Sequence, residues 1–265
     1  MKDMADKPTT DTRSPLTAPP LRNPGQSLDE EIHRLIDEKL VVSLIPAFAF
    51  FVIAVVEWVR WWQQARPNPL LYTLCAIVAF GYGAYQFFVI RHQVRRLKLA
   101  RDGEQVVGQY LETLRANGYR VLHDLIGNHF NVDHVVIGRA GIFSVETKTY
   151  RKPAKGKAEI IYDGEKVTVA GQTPDRDPLT QGKAQAHWLQ TVLLESTGRR
   201  FMVKSVVLYP GWFVKTTVKL RDEAVWVLNP KALPSFLAHQ AAQLSEEEAQ
   251  MATYHLSRFM RATVK

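Results

Sequence analysis

Two stretches without a single charged residue, 40–56 and 70–90, constrain this 265-residue chain more than any other feature. An α-helix rises about 1.5 Å per residue, so roughly 20 apolar residues cross the hydrocarbon layer of a bilayer. Both runs are close to that length. Trp58, Trp61 and Trp62 close the first, and Tyr72 and Tyr85 sit near the ends of the second; such amphipathic rings favour the membrane–water interface. The expectation is two transmembrane helices, about 40–59 and 70–90. The alternative at this length is a helical hairpin buried in a soluble core. A cleaved leader fits poorly, because the first run begins far from Met1 and the small-residue triplet Ala47-Phe48-Ala49 falls inside it.

Charge then orients the hairpin. Arg91, Arg95, Arg96, Lys98 and Arg101 follow the second run, whereas the segment between the runs holds only Arg60 and Arg66. Cytoplasmic flanks carry the excess of Lys and Arg, so the expectation puts both termini in the cytoplasm. This divides the chain into a flexible tail at 1–39 with a short helix at 29–39, the two spans, a basic juxtamembrane linker at 91–102, and a domain at 103–265. The basic cluster suits anionic lipid, with a phosphate-binding patch as the alternative. A net charge of +8 points the same way, toward phospholipid or nucleic acid. The single cysteine, Cys75, excludes an internal disulfide and a Cys-rich zinc site, as suits a reducing compartment.

From Gly103 the pattern becomes that of an α/β domain. Val107, Leu111 and Leu114 share one face of a helix expected over 103–117, which Gly118 stops. Strands are expected at 119–125, 131–138, 141–149, 159–162 and 166–170, with Asp163-Gly164 as a hairpin turn. A helix at 178–195, strands at 201–209 and 224–228, and a helix at 245–261 with Ser245 as its cap complete the reading.

The chemistry concentrates between Asn131 and Lys148. Two β-rich runs meet at 138–141, which predicts an antiparallel hairpin centred between Arg139 and Ala140, with Asp133 opposite Glu146. Alternation then gives Asp133, Val135, Ser144, Glu146 and Lys148 one face, and Val132, His134, Val136, Phe143 and Val145 the other. Facing carboxylates repel unless a cation lies between them. Hard oxygen ligands suit Mg²⁺ or Mn²⁺, and Lys148 on the same face suits charge stabilisation at a phosphate. Acidic and basic residues on strands also occur as a plain solvated face. Glu104 shares the apolar face of its helix, where a carboxylate needs a partner unless it only favours the helix N-terminus. Gln181 is placed either to position water or phosphate or simply to begin its helix. His134 is read as packed, turned away from Asp133. His123 and Asp124 stand outside the core assignment, and Lys152, Lys155 and Lys157 form a basic loop.

At these residues the sequence resembles the nuclease-related domain (NERD) family, which is similar to the PD-(D/E)xK nucleases. The resemblance covers residues 102–228: Gly103-Glu104 opening a helix, Val132-Asp133-His134, Gly141-Ile142-Phe143 leading into Glu146-Thr147-Lys148, and Pro178 with Gln181. It implies a restriction-endonuclease-like mixed sheet flanked by helices. It further implies Asp133 and Glu146 as metal ligands, Lys148 as the catalytic lysine, and Glu104 and Gln181 in support. The expected function is metal-dependent hydrolysis of DNA or RNA with little sequence specificity at the membrane. The alternatives are a tethered nucleic-acid-binding module without catalysis, or a membrane scaffold.

The charge asymmetry gives a direct test of orientation. A reporter active only outside the cytoplasm should work when inserted near Pro67 and fail when fused after Lys265; the opposite pattern would reverse the topology.

Overall fold

A computed structural model of the protein describes residues 20–64, 69–127, 130–153 and 157–263. Residues 1–19 of the expected tail, Arg66, Pro67 and Lys155 lie outside the described residues. The first helical stretch comprises α1 (Gln26–Arg34), a π-helical turn at Leu35–Val41 and α2 (Val42–Trp62). Pro46, inside α2, has no N–H for the preceding turn. α2 packs along α3 (Pro69–Glu112), with Phe51 edge-on to Phe80. Both helices are long and apolar enough to cross a membrane. Only 17% of each apolar window is buried within the protein, whereas the core helix of a soluble domain would be mostly covered.

The helix α3 does not stop where the apolar run ends. Its 44 residues amount to about 66 Å at about 1.5 Å per residue, so one rod carries the second apolar run and the first elements of the domain. The stretch 91–102, expected as a linker, is therefore helical. Its Arg, Gln, Leu, Lys and Ala residues are good helix formers, and nothing in their sequence breaks the rod. Gly103 stays in the helix for a packing reason: a Cβ there would lie 1.7 Å from Thr149 Oγ1. A short 3₁₀ turn, Thr113–Asn117, and Gly118 in the left-handed region end the rod.

Among the described residues, eight strands follow in the order β1 (Arg120–Ile126), β2 (Asn131–Gly138), β3 (Gly141–Thr147), β4 (Glu159–Tyr162), β5 (Val167–Val169), β6 (Val203–Leu208), β7 (Phe213–Thr216) and β8 (Val225–Leu228). Helix α4 (Pro178–Thr197) precedes β6, and α5 (Leu233–Ala238) and α6 (Glu246–Thr263) close the described chain. The main sheet is mixed, ordered β1-β2-β3-β6-β8, with β1, β2 and β3 antiparallel and β3, β6 and β8 parallel. β5-β4-β7 form a small second sheet. One core unites Val107 and Leu111 of α3 and Leu114 of the 3₁₀ turn with Val136, Phe143 and Val145; the other unites Leu189 and Leu193 of α4 and Leu256 of α6 with Val135, Ile137 and Ile142. Helices thus cover both faces of a mixed sheet.

The β2–β3 ladder has the expected register, pairing His134 with Val145, Val135 with Ser144 and Gly138 with Gly141. Alternation fails at one place. Val132, expected on the face of His134, packs with Val135 and Ile137, as does Leu125 across from it. The irregularity coincides with Asp124, whose φ of 53° is unusual for a residue with a side chain.

Asp124 is also where the segment before α2 is fastened. Arg22 Nε donates to its Oδ2 at 2.6 Å, the Ser27 backbone N–H to the same oxygen at 2.8 Å, and Ser27 Oγ to Oδ1 at 2.7 Å. The side chains of Arg22 and Asp124 are 4% and 1% exposed, so removing either one alone strands a buried charge, a loss on the order of 3–5 kcal/mol.

The contact between α3 and the end of β3 has a measurable consequence. Gly103→Ala should lower stability by about 1–3 kcal/mol through overpacking against Thr149. Adding Thr149→Gly should return part of that loss in denaturation of the detergent-solubilised chain. A Gly103→Ala chain as stable as the parent would contradict the close approach.

Candidate functional site

The site residues gather where β3 ends against the first turns of α4. Asp177 caps α4, accepting from the N–H groups of Leu179 and Thr180 at 3.0 and 3.1 Å, and Pro178 fits the first helical position, where no N–H is needed. This start places Gln181 and Gln185 one turn apart, facing β3. Gln181 Nε2 donates to Glu146 Oε1 at 2.7 Å, and Gln185 Nε2 donates to Glu146 Oε2 at 2.5 Å. Lys148 Nζ donates to Glu146 Oε1 at 2.5 Å and to Gln181 Oε1 at 2.8 Å. The Lys148 backbone N–H bonds Leu208 O at 2.9 Å, which extends the β3–β6 pairing one residue past the strand and fixes where the lysine begins. Glu146 is 3% exposed, so its charge is satisfied by three donors rather than by water.

Asp133 stands one step beyond the last β2–β3 pair, and its Oδ2 accepts the Thr147 N–H at 2.7 Å. It keeps some exposed surface, yet protein atoms crowd the carboxyl closely. Burial, followed by the charges of Glu146 and Glu104, raises its pKa well above the ordinary range. Glu104, on α3, is buried and its pKa is pushed up to about 8, first by burial and then by Asp124 and Glu146; Lys148 and the Gly25 backbone draw it the other way. Three carboxylates therefore influence one another around a single ammonium, that of Lys148.

Of the residues singled out in the sequence, the fold brings Glu104, Asp133, Glu146, Lys148 and Gln181 into one neighbourhood. His134 turns away, as strand parity requires, and meets His123, Nδ1 to Nδ1 at 2.9 Å; His123 Nε2 in turn meets Glu112 Oε1 at 2.8 Å. If Glu112 accepts the His123 Nε2 proton, His123 Nδ1 must accept from His134, leaving the buried His134 Nε2 as a lone pair without a donor. Burial lowers the pKa of both rings and keeps them neutral. Asp124 is engaged by Arg22 and Ser27, and Lys152 and Lys157 are exposed on their loop. Gln185 was not among the sequence candidates. Its signal was a glutamine on the apolar row of α4, one turn from Gln181 and Leu189; it is 2% exposed and also donates to Asn131 O at 2.8 Å.

Among the described residues, no three or more His, Cys, Asp or Glu side chains are gathered so as to hold a metal ion. The mutual influence of the three carboxylates is a longer-range effect than ligation, so the two observations are compatible. The donor chemistry fits Mg²⁺ or Mn²⁺, which need only one or two protein carboxylates and take their remaining ligands from water and phosphate. Asp133 and Glu146 are the residues that would hold such an ion, and its charge would favour the ionised forms of Asp133 and Glu104, which burial and mutual repulsion oppose. One of the Glu146 oxygens is held by the Lys148 ammonium, which occupies the place of a countercharge.

A helix-flanked mixed sheet with an acidic pair and a lysine at the end of one hairpin describes a nuclease-like core. Residues 99–210 match the nuclease-related domain family, NERD. No curated protein and no solved structure matches the chain.

Repulsion among these carboxylates makes a removable cost. Asp133→Asn keeps an acceptor for the Thr147 N–H and replaces an acid whose ionisation the site opposes with a neutral amide, so in chelator the substituted chain should be as thermally stable as the parent or more so. Marked unfolding would instead make Asp133 a structural anchor.

Proposed function

We propose that this chain is a membrane-anchored nuclease that uses Mg²⁺ or Mn²⁺ to hydrolyse phosphodiesters of DNA or RNA with little sequence specificity. The observation that carries the reading is the junction of Glu146, Lys148 and Gln181 at 2.5–2.8 Å beside Asp133, within a region matching a nuclease-related family. In this reading Asp133 and Glu146 hold the metal, which when bound would activate a water and offset phosphate charge. Lys148 turns its ammonium toward the phosphate oxygens, where negative charge grows. Gln181 holds that ammonium through its own Oε1, Gln185 fixes the Glu146 carboxylate from behind, and Glu104, whose ionisation a bound cation would favour, adds negative charge beside it. No base-reading motif accompanies the site, so contact with the phosphate backbone accounts for binding.

The same reading makes residues 40–59 and 70–90 two spans, with both termini and the domain at 103–265 in the cytoplasm. Two observations support it: the Lys/Arg excess after the second span, and the contact of Arg22 and Ser27 with Asp124. Arg22 and Ser27 precede the spans and Asp124 follows them. Residues in direct contact lie on one side of a membrane, which requires an even number of crossings between them.

A second reading is a tethered nucleic-acid-binding module without catalysis. It is favoured by the closed state of Glu146, both of whose oxygens already have side-chain partners.

The test uses the full chain in detergent, since a fragment beginning near Arg101 would leave Asp124 without its partners. With Mn²⁺ the protein should cut plasmid or single-stranded nucleic acid, and EDTA should stop it. Lys148→Ala should lose activity by a factor on the order of a hundred or more, with metal affinity unchanged or tighter because a Glu146 oxygen is freed. Glu146→Ala should lose both cutting and metal. Metal binding without cutting by the parent chain would favour the binding module.

A further inference from the structure

The segment just before the first span lies directly over the turn of α3 that carries Glu104. Gly25, at φ 71°, sits against Arg101: a Cβ placed on it would be 3.0 Å from Arg101 Cγ. Pro24 covers Gly108, where an added Cβ would meet Pro24 Cγ at 2.5 Å. Arg101 and Gly108 flank Glu104 by three and four residues, one turn of helix on either side. Arg101 also pairs with Asp29 of α1 at 2.8 Å, and Arg22 pairs with Glu30 at 2.9 Å. Together with the Asp124 contacts, these make a polar clasp joining the start of the membrane hairpin to the edge of the candidate site.

We propose that this clasp, residues 22–27, is a positioning element: docked on Asp124, it holds Glu104 in the site, so metal binding and docking of the membrane-proximal segment are linked. The proposal rests on the metal-site reading above. Docking pairs Arg22 one-to-one with Asp124, so the two charges largely cancel at a distance. Release would let water screen both, so the charge effect on the site is small either way. What release removes is the Gly25 backbone N–H that donates to the Glu104 carboxylate, the contact that holds this side chain in the site and favours its charged form. The clasp's hold on Asp124 is ionic and polar. Opening it rehydrates both charges, unlike a substitution, which strands one. Since α1 leads through the π-turn into α2 as one helical stretch, the clasp moves with the first membrane helix. By reciprocity, a metal that prefers the docked state must itself favour docking.

Amide hydrogen exchange of the full chain in detergent, with and without saturating Mn²⁺, tests this without any substitution. Mn²⁺ should slow exchange across residues 22–30, the Ser27 amide included, by about tenfold or more. In parallel, Arg22→Gln should weaken Mn²⁺ binding several-fold in calorimetry, and Arg22→Lys should recover part of it. Merely structural damage would lower melting temperature without Mn²⁺-dependent protection of the clasp. Mn²⁺ bound by the parent chain with no change of exchange at 22–30 would overturn the linkage and leave the site reading intact. A parent chain that binds no Mn²⁺ would overturn both.

Discussion

A buried carboxylate that must never be without donors organises this domain. Glu146 lies at the end of a central strand, almost without contact to water, and three side chains hold its two oxygens. Two of the donors come from α4, so the cap at Asp177, the proline after it and the packing of Leu189 and Leu193 all serve to bring one helical turn to one strand end. The third, Lys148, comes from the same strand and is fixed by the backbone bond to Leu208. Removing water from such a group without these partners would cost more than the fold as a whole can spare. Asp133 and Glu104 resist ionisation in this crowded, buried setting, and a divalent cation would favour their charged forms, which gives it a reason to enter.

The second organising element is the unbroken α3. A flexible linker between membrane and domain would let the site sample many heights and orientations. A helix that runs from Pro69 to Glu112 removes that freedom and places Glu104 a fixed distance beyond the apolar run. The clasp on Asp124 adds a second connection, so the domain is tied to both helices of the hairpin. The two long apolar helices and the domain are in this sense one structural unit.

Much of this was legible in the sequence, for reasons that can be named. The β2–β3 register followed from alternation about Arg139 and Ala140 and from glycines on either side, and the ladder pairs agree with it. The start of α4 was legible at Pro178, and its expected end lies two residues short of Thr197. Local signals misled at Gly103, whose usual meaning as a helix boundary is overridden by packing against Thr149. They were silent at β7, a short strand with largely exposed residues, and at α5, only six residues long. The Arg22–Asp124 pair could not be read at all, because its partners are 102 positions apart with both apolar runs between them. Gln185 lay between these cases: its place on an apolar row was visible, but its partner was not.

The central claim is that Asp133 and Glu146 are metal ligands, and anomalous diffraction from crystals of the full chain soaked in Mn²⁺ tests it most directly. The account predicts a manganese peak contacting both carboxylates, with Lys148 Nζ withdrawn from Glu146 Oε1. Saturating Mn²⁺ that leaves the Lys148–Glu146 ion pair intact, with no peak between the two acids, would contradict it.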